Sequence, residues 1–264
     1  MLRQLFAIAL ATTGLSACSH VDYDQVEPGT FEGSLTLLWV GESQRGLGDG
    51  TFVFVPNRTP LSFHRADPEA TVEVITPQIM YTDGGSIPQL AQALNGFSPW
   101  GYAPAYMVHD WLFVARKCLN DNAATDAEQA IEGMTFRESA RVAAEAIKTL
   151  IDEGKVQTND VAPQAISNAV ASGISHRLWR AKGACPENRI KPGHLAQIEA
   201  ALPGTVDPKA FEVDKPPQPE PMILAAAPLP GTPQSIAPMP VAAVFAPVPR
   251  RVRPAQIITT FEFD

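Results

Sequence analysis

Apolar positions in the early part of the chain follow the two patterns that predict β-strands. Leu35 to Val40 is a continuous apolar and β-prone run, and Thr51 to Val55 alternates around two phenylalanines. Leu61 to His64 and Thr71 to Ile75 continue the pattern. The sequence therefore predicts a small antiparallel sheet of about four strands that ends near Met80.

Helical periodicity replaces the strand pattern after this sheet. Gly101 to Lys117 predicts a first helix, and the capping box Thr125-Asp126-Ala127-Glu128 opens a second one that runs to about Glu153. The stretch from Asp160 to Ala181 predicts a third helix. Short links make long helices antiparallel neighbours, so we expect an α+β fold with a small antiparallel sheet followed by a three-helix bundle.

In this bundle the first and third helices run in the same direction, and each is followed by a cysteine. Cys118 comes after the first helix and Cys185 after the third, so both lie at one end. We therefore expect a Cys118–Cys185 disulfide, which closes a long loop and contributes roughly 4 kcal/mol. Reduced, unpaired thiols are the alternative.

Proline and alanine dominate the C-terminal part of the chain, which has too little apolar surface to form a core. The expected organisation is a core domain over residues 31–186, a connecting segment over 187–202 and a disordered tail over 203–264. Within the tail, Ile257 to Phe263 regain β character. They either add a strand to a partner's sheet or fray.

The first residues have the pattern of a secretory signal peptide. An apolar run from Leu5 to Leu10 follows an early arginine and is too short to span a bilayer. Leu15-Ser16-Ala17-Cys18 resembles the lipobox of bacterial lipoproteins. The resemblance implies that residues 1–17 are a signal peptide, that Cys18 carries acyl chains and that residues 18–30 are a tether.

The residue after the acylated cysteine bears on location. The residue after Cys18 is Ser19 and not an aspartate. In Gram-negative lipoproteins the absence of an aspartate at this position implies transfer to the outer membrane, where this protein would face the periplasm. The acyl chains anchor the protein to a membrane that it does not cross. An ordinary signal peptide with a chance cysteine is the alternative. In either case the compartment is oxidising, which favours the disulfide.

An acidic balance excludes one large class of partners. Loss of Arg3 with the signal peptide moves the net charge from −8 to −9. No basic face is available to displace phosphate counterions, and Arg250-Arg251-Val252-Arg253 is too small to provide one, so we expect no nucleic-acid binding. The expected partners are the membrane, through Cys18, and an envelope protein reached by the tail.

Glycines, acids and a histidine gather in two segments, Thr82-Asp83-Gly84-Gly85-Ser86-Ile87-Pro88 and His109-Asp110-Trp111-Leu112-Phe113. Taken singly they have ordinary explanations: a turn, a helix cap at Ser86 and a surface pair on a helix. However, the helix around His109 is largely apolar, and an unpaired charge buried there is costly. We therefore predict that His109 and Asp110 pair or face a cleft, and that the two segments form a site.

These segments resemble a bacterial and phage family known as domain of unknown function 1353. Its pattern, T-D-x-x-S-I-P followed by H-D-x-L-[YF] and a later aspartate, is matched here by both segments and by Asp126. The likeness covers about Val72 to Trp179, so the lipobox and the tail lie outside it. Phe113 stands where tyrosine is commoner, so no hydroxyl is available there. The resemblance implies no activity.

The residue types do suggest a chemistry. A histidine held by a carboxylate takes a proton from water near neutral pH, which makes His109 a candidate general base. The arrangement also resembles secreted phospholipases A2. That likeness implies calcium held by Asp110 with the Gly84-Gly85 loop, and a histidine oriented by Asp126 or Asp83. The flanking cysteines of that family are absent here, and the turn between the first two helices is short.

Other assignments of the same residues stay open. His109, Asp110, Asp83 and His176 would form a transition-metal site, whereas Ser86 with His109 would form a nucleophile and its base. In a non-catalytic envelope lipoprotein the same polar network would brace the fold. We therefore expect a lipid-anchored envelope protein that hydrolyses an ester or amide at a His-Asp site.

Overall fold

The computed structural model describes residues 21–42, 50–82, 102–156, 170–206 and 252–263. Within these ranges the chain has a mixed α+β fold built on an antiparallel sheet, as the sequence predicted. Among the described residues, no helix is long and apolar enough to cross a membrane.

Six strands form the described sheet, all paired antiparallel. They are β1 (Thr30–Glu42), β2 (Gly50–Pro56), β3 (Ser62–His64), β4 (Val74–Ile75), β5 (Met80–Thr82) and β6 (Gln256–Phe263). The order is β4-β3-β1-β2-β5, and β6 pairs with β1. The long strand β1 is therefore the centre of the sheet.

The described helices surround this sheet. They are α1 (Ala103–Asn120), α2 (Asp126–Gln129), α3 (Phe136–Asp152), α4 (Gly173–Trp179), α5 (Cys185–Asn188) and α6 (Pro192–Ala201). Helix α1 begins with Pro104 in its first turn, where the missing N–H costs no hydrogen bond. Helices α1 and α3 pack against each other and supply half of the buried residues of the main core.

Both faces of β1 and β2 are buried, which explains their continuous apolar runs. Leu37 and Phe54 pair across the two strands and belong to the main core beneath α1 and α3. Their neighbours Leu38 and Val53 point to the opposite face, where a second core includes residues of α6. The segment predicted over residues 187–202 as a simple connection therefore covers the second face of the sheet.

The prediction of one long helix from Thr125 onwards is wrong. The capping box is present, since Thr125 Oγ1 accepts from the Glu128 N–H and the Glu128 carboxylate accepts from the Thr125 N–H. However, α2 ends after one turn, and a second cap at Thr135 starts α3. Between them lies Gly133, where an added Cβ would come within 2.8 Å of the Thr71 side chain. That close approach ties the loop to the segment before β4.

The predicted third helix is only partly described. Its beginning, over residues 157–169, lies outside the described residues. The remainder is interrupted, because residues 171–172 are not helical and Ser172 caps α4, its Oγ accepting from the Ser175 N–H. Helix α4 ends at Trp179, slightly before the predicted end.

Both ends of the described chain pack on the core, which corrects two expectations. Residues 21–30 were expected to be a tether, yet Val21 and Val26 are buried against Ala140 and Ala144 of α3. The expected frayed or donated tail strand is β6, which pairs with β1 of the same chain. The predicted tail over residues 207–250 lies outside the described residues.

A disulfide and an aspartate close the end of α1. The sulfurs of Cys118 and Cys185 lie 2.02 Å apart, so the expected pair is at disulfide distance. Beside it, the Asp121 carboxylate accepts from the N–H groups of Gly183 at 2.6 Å and Cys185 at 2.9 Å. These backbone hydrogen bonds hold the pKa of Asp121 below its usual value.

Candidate functional site

His109 lies in the middle of α1, on a helix whose other residues are mostly apolar. It is 8% exposed. Its Nε2 atom is buried and has no hydrogen-bond partner among the residues described. A buried polar atom without a partner costs free energy, so such atoms in native proteins often mark a functional site.

The neighbouring carboxylate is close but does not form a direct hydrogen bond to the imidazole. His109 Nδ1 lies 3.9 Å from Asp110 Oδ1, and the two side chains are 10% and 30% exposed. At this distance the carboxylate interacts with the imidazole as a charge. The predicted pair is therefore together, and Asp110 is positioned to stabilise the positive charge of a protonated His109.

Two tyrosines, Tyr106 in α1 and Tyr102 at its N-cap, form a stripe with His109 along one face of the helix. Tyr102 is 1% exposed and Tyr106 is 5% exposed. Neither hydroxyl has a hydrogen-bond partner in the described part of the chain. With 3.6 residues per turn, Tyr102, Tyr106 and His109 fall within a sector of about 60°. Three unpartnered polar atoms therefore share one helix face.

Both phenols are strongly biased towards the neutral form. Burial raises the pKa of Tyr102, and burial with the nearby Tyr102 and Asp110 raises the pKa of Tyr106. A neutral phenol is a hydrogen-bond donor. The stripe therefore presents two donors beside an imidazole and a carboxylate.

An aromatic row forms the other side of the histidine. Phe113 stands one turn after His109, and the centroid of its ring lies 4.9 Å from that of the imidazole. The ring centroids of Phe113 and of Trp179 in α4 lie 5.2 Å apart. The guanidinium of Arg116 lies 4.8 Å from the Trp179 ring. Arg116 also donates to the carbonyl oxygens of Ile131, Glu132 and Met134, so it connects the α2–α3 loop to this row.

The structure does not bring Asp126 to the histidine. Asp126 is exposed in the first turn of α2, and no hydrogen bond or ion pair joins it to His109 among the described residues. The short turn between α1 and α2 leaves Asp110 as the carboxylate beside His109. His176, the fourth member of the predicted transition-metal set, is exposed and packs its ring 4.9 Å from Phe136.

Several predicted site residues lie outside the described ranges. These are Asp83, Gly84, Gly85 and Ser86 of the first segment, and the lipidation residue Cys18. Thr82, which opens the first segment, is described and is buried at the end of β5. Helix α1 contacts β5, so the segment begins beside the helix that carries His109.

The described residues do not supply a metal site. Calcium takes six to eight oxygen ligands, and only Asp110 of the predicted calcium set is placed. In the described ranges there is also no group of three histidine, cysteine, aspartate or glutamate side chains arranged to hold a metal ion. Asp110 alone does not fit such an ion, so we derive no catalytic step through one.

Sequence reasoning treated Tyr102 and Tyr106 only as part of the apolar surroundings of His109. The signal that identifies them is their spacing, since they stand seven and three residues before the histidine. Their hydroxyls are polar atoms on the same helix face. The sequence also did not reveal a second polar pair, which is half-buried and in which the Tyr81 hydroxyl lies 2.8 Å from His194 Nδ1.

The fold and the site together define an α+β protein that carries a candidate general base, His109, in a largely buried helix. No family model, no curated protein and no solved structure matches the chain. The likeness to domain of unknown function 1353 therefore remains a resemblance carried by its two segments and Asp126.

Proposed function

We propose that this protein is a lipid-anchored cell-envelope hydrolase that cleaves an ester or amide, with His109 as the general base. One observation carries the proposal: His109 Nε2 is buried without a partner among the described residues, in an otherwise apolar helix. The Asp110 carboxylate at 3.9 Å from Nδ1 supports it. A neutral imidazole nitrogen without a hydrogen-bond partner is able to accept a proton from a bound water molecule.

The reaction follows from this arrangement. His109 Nε2 removes a proton from water, and the water oxygen forms a bond to the acyl carbon of the substrate. The carbonyl oxygen takes the electron pair and becomes the oxyanion of a tetrahedral intermediate. The imidazolium then returns its proton to the leaving oxygen or nitrogen, and the bond from that atom to carbon breaks. Asp110 stabilises the imidazolium between the two proton transfers.

The wider proposal keeps the expectations that the described residues leave open. Residues 1–17 are the signal peptide, and Cys18 carries the acyl anchor in the outer membrane. The first segment, with Asp83 and Ser86, belongs to the proposed site. The proline-rich stretch is a spacer that reaches an envelope partner.

The catalytic claim is tested with His109→Gln and His109→Ala, assayed on p-nitrophenyl esters and p-nitroanilides of short acids. We expect kcat to fall by about 10² to 10⁴ when the general base is removed. Thermal unfolding of each variant shows whether it is folded. His64→Ala is the matched control, because His64 is a 40% exposed strand histidine that pairs with Glu32.

The outcomes separate the proposed classes. A folded His109→Gln variant with the kcat of the natural protein refutes the base. If the natural protein cleaves none of the probes and His109→Ala only unfolds, the non-catalytic brace is the better reading. The anchor has its own test, since Cys18→Ser should abolish acylation and move the protein from the membrane to the soluble fraction. Retention of that variant in the membrane contradicts the anchor.

A further inference from the structure

We propose that Tyr106 is a second catalytic residue, which donates a hydrogen bond to the substrate's carbonyl oxygen, and that Tyr102 binds another polar atom of the same substrate. This inference rests on the proposed hydrolysis. It also names the substrate class: an acyl compound that carries a second hydrogen-bond acceptor near its scissile carbonyl.

The first support is the state of the two hydroxyls. Both belong to side chains that are at least nine-tenths buried, and both lack a partner among the residues described. A buried hydroxyl without a partner is unfavourable, and replacing it by hydrogen is close to neutral or stabilising. The presence of two such hydroxyls on the face that carries His109 is explained if a bound ligand supplies a hydrogen-bond acceptor for each of them.

The second support is the position of Tyr106 along the helix. It lies three residues before His109, or about 4.5 Å along the axis, and one turn before Asp110. Burial raises the pKa of Tyr106, and the Tyr102 phenol and the Asp110 carboxylate are near enough to add to that rise. A carbonyl whose carbon is attacked by water bound to His109 Nε2 has its oxygen a few ångströms away. Of the two phenols, Tyr106 stands nearer to His109 along the helix.

The third support is the separation of the two phenols. Tyr102 lies four residues, or about 6 Å along the helix axis, further from the histidine. The two rings are 6.3 Å apart, centroid to centroid, with an angle of 64° between their planes. We therefore assign to Tyr102 an acceptor further along the substrate, whose bonding does not change during the reaction.

The two roles predict different kinetic effects. A donor to an oxyanion acts mainly in the transition state, so Tyr106→Phe should lower kcat by about 10² to 10³. A donor to a remote acceptor binds substrate and transition state equally, so Tyr102→Phe should raise KM and leave kcat unchanged. Each substitution removes only a hydroxyl and keeps the ring that packs in the core.

The experiment uses the full chain and two probes, the p-nitrophenyl esters of butyric acid and of N-acetyl-β-alanine. Only the second probe has an amide oxygen beyond the scissile carbonyl. We expect Tyr106→Phe to lower kcat on both probes. Tyr102→Phe should raise KM for the N-acetyl-β-alanine ester alone and so abolish the preference of the natural protein for it.

Tyr81→Phe is the matched control. Its hydroxyl accepts from the Lys191 N–H at 2.9 Å and contacts His194 Nδ1 at 2.8 Å, and its ring packs against the second core. This variant should lose thermal stability with no change in kcat. Tyr102→Phe and Tyr106→Phe should unfold at the temperature of the natural protein or above it, because they lose an unpartnered hydroxyl.

The results distinguish this inference from the proposed function. If His109→Gln is inactive while Tyr106→Phe keeps its kcat and Tyr102→Phe keeps its KM on both probes, only the inference fails. If the natural protein cleaves neither probe, or if His109→Gln remains active, both fail. Loss of activity in a phenylalanine variant that also unfolds at a lower temperature would assign the tyrosine a structural role and overturn the inference.

Discussion

Replacing Arg65 by methionine removes the centre of a buried ionic cluster between the sheet and α3. The Arg65 side chain is completely buried. Its Nε and Nη2 atoms donate to both carboxylate oxygens of Glu145, at 2.7 and 2.9 Å, and its Nη1 donates to Glu138 at 2.6 Å. Burial alone would lower the pKa of Arg65, but these partners outweigh it and raise the pKa.

The magnitude follows from what the substitution leaves behind. The Glu145 side chain is 1% exposed, so without Arg65 its charge remains buried and lacks its bidentate partner. Removing one member of a buried ion pair costs about 3 to 5 kcal/mol. Glu138 is 12% exposed and keeps the hydrogen bond that it accepts from the Thr71 N–H at 2.7 Å, so it is not left without a partner. The expected loss is a large part of the stability of an ordinary domain, about 5 to 15 kcal/mol.

The assay is a double-mutant cycle in urea at neutral pH, followed by circular dichroism. It compares the natural protein with Arg65→Met, Glu145→Met and the double variant. Each single variant should lose several kcal/mol, and the double variant should recover most of that loss because the Glu145 charge is no longer left buried without Arg65. Arg189→Met is the control: its buried partner Glu128 keeps the Thr125 N–H at 2.7 Å, so its loss should be smaller.

Two results would refute this reasoning. If the losses of the two single variants add up in the double variant, the residues are not coupled and the cluster is not a unit. If Arg65→Met costs less than about 1 kcal/mol, the pair behaves like an exposed surface ion pair. Arg65 would then not hold α3 to the sheet.

Three further predictions test other parts of the fold. Changing Cys118 and Cys185 to serine opens a loop with a sequence separation of 67 residues. The free energy of unfolding, measured in urea, should fall by about 4 kcal/mol by the chain-entropy estimate. A reducing agent that destabilises the natural protein and the serine variant equally would contradict this prediction. Deletion of residues 256–264 uncovers one edge of β1 and the Phe31 ring, whose centroid lies 4.9 Å from that of the Phe263 ring. The shortened protein should therefore melt at a lower temperature and aggregate. An unchanged melting temperature would show that β6 is dispensable. The pKa of Asp121 is depressed in the folded state, so the stabilisation that its carboxylate provides is present above the unfolded pKa of about 3.9 and is lost as pH falls through the folded value. The difference in free energy of unfolding between Asp121→Asn and the natural protein should therefore become smaller in acid. A difference that does not depend on pH would exclude this linkage.

The strands were predictable because their signals are local. The apolar run from Leu35 to Val40 and the alternation around Phe54 identify β1 and β2. The continuity of the first run also indicates burial on both faces, which requires a second covering layer. The sequence of α6 did not identify it as that layer, because only Leu195 and Ile198 of that helix are buried.

The helix boundaries failed where two local signals compete. Thr125 with Glu128 and Thr135 with Glu138 are both N-terminal capping patterns, and accepting only the first made one helix out of two. Gly133 between them lowers helix stability by about 1 kcal/mol relative to alanine. The second cap and the glycine together were a readable signal for the break.

The remaining features depend on contacts between distant parts of the chain. Arg65 and Glu145 are 80 residues apart, and nothing near either residue indicates the other. At the site, the sequence identified His109 and Asp110 because both disturb an apolar helix. It misassigned Asp126, because the direction in which α2 leaves α1 is set by tertiary packing.

The pairing of β1 with β6 has a consequence for how the protein is made. Thr36 and Thr260, which face each other across these strands, are separated by 224 residues. At about 5 to 20 residues per second, a ribosome needs on the order of 10 to 45 s to synthesise that interval. Throughout it, the central strand presents an open edge to the surrounding proteins. The nascent chain therefore cannot close its sheet along this part of β1 until β6 has been synthesised.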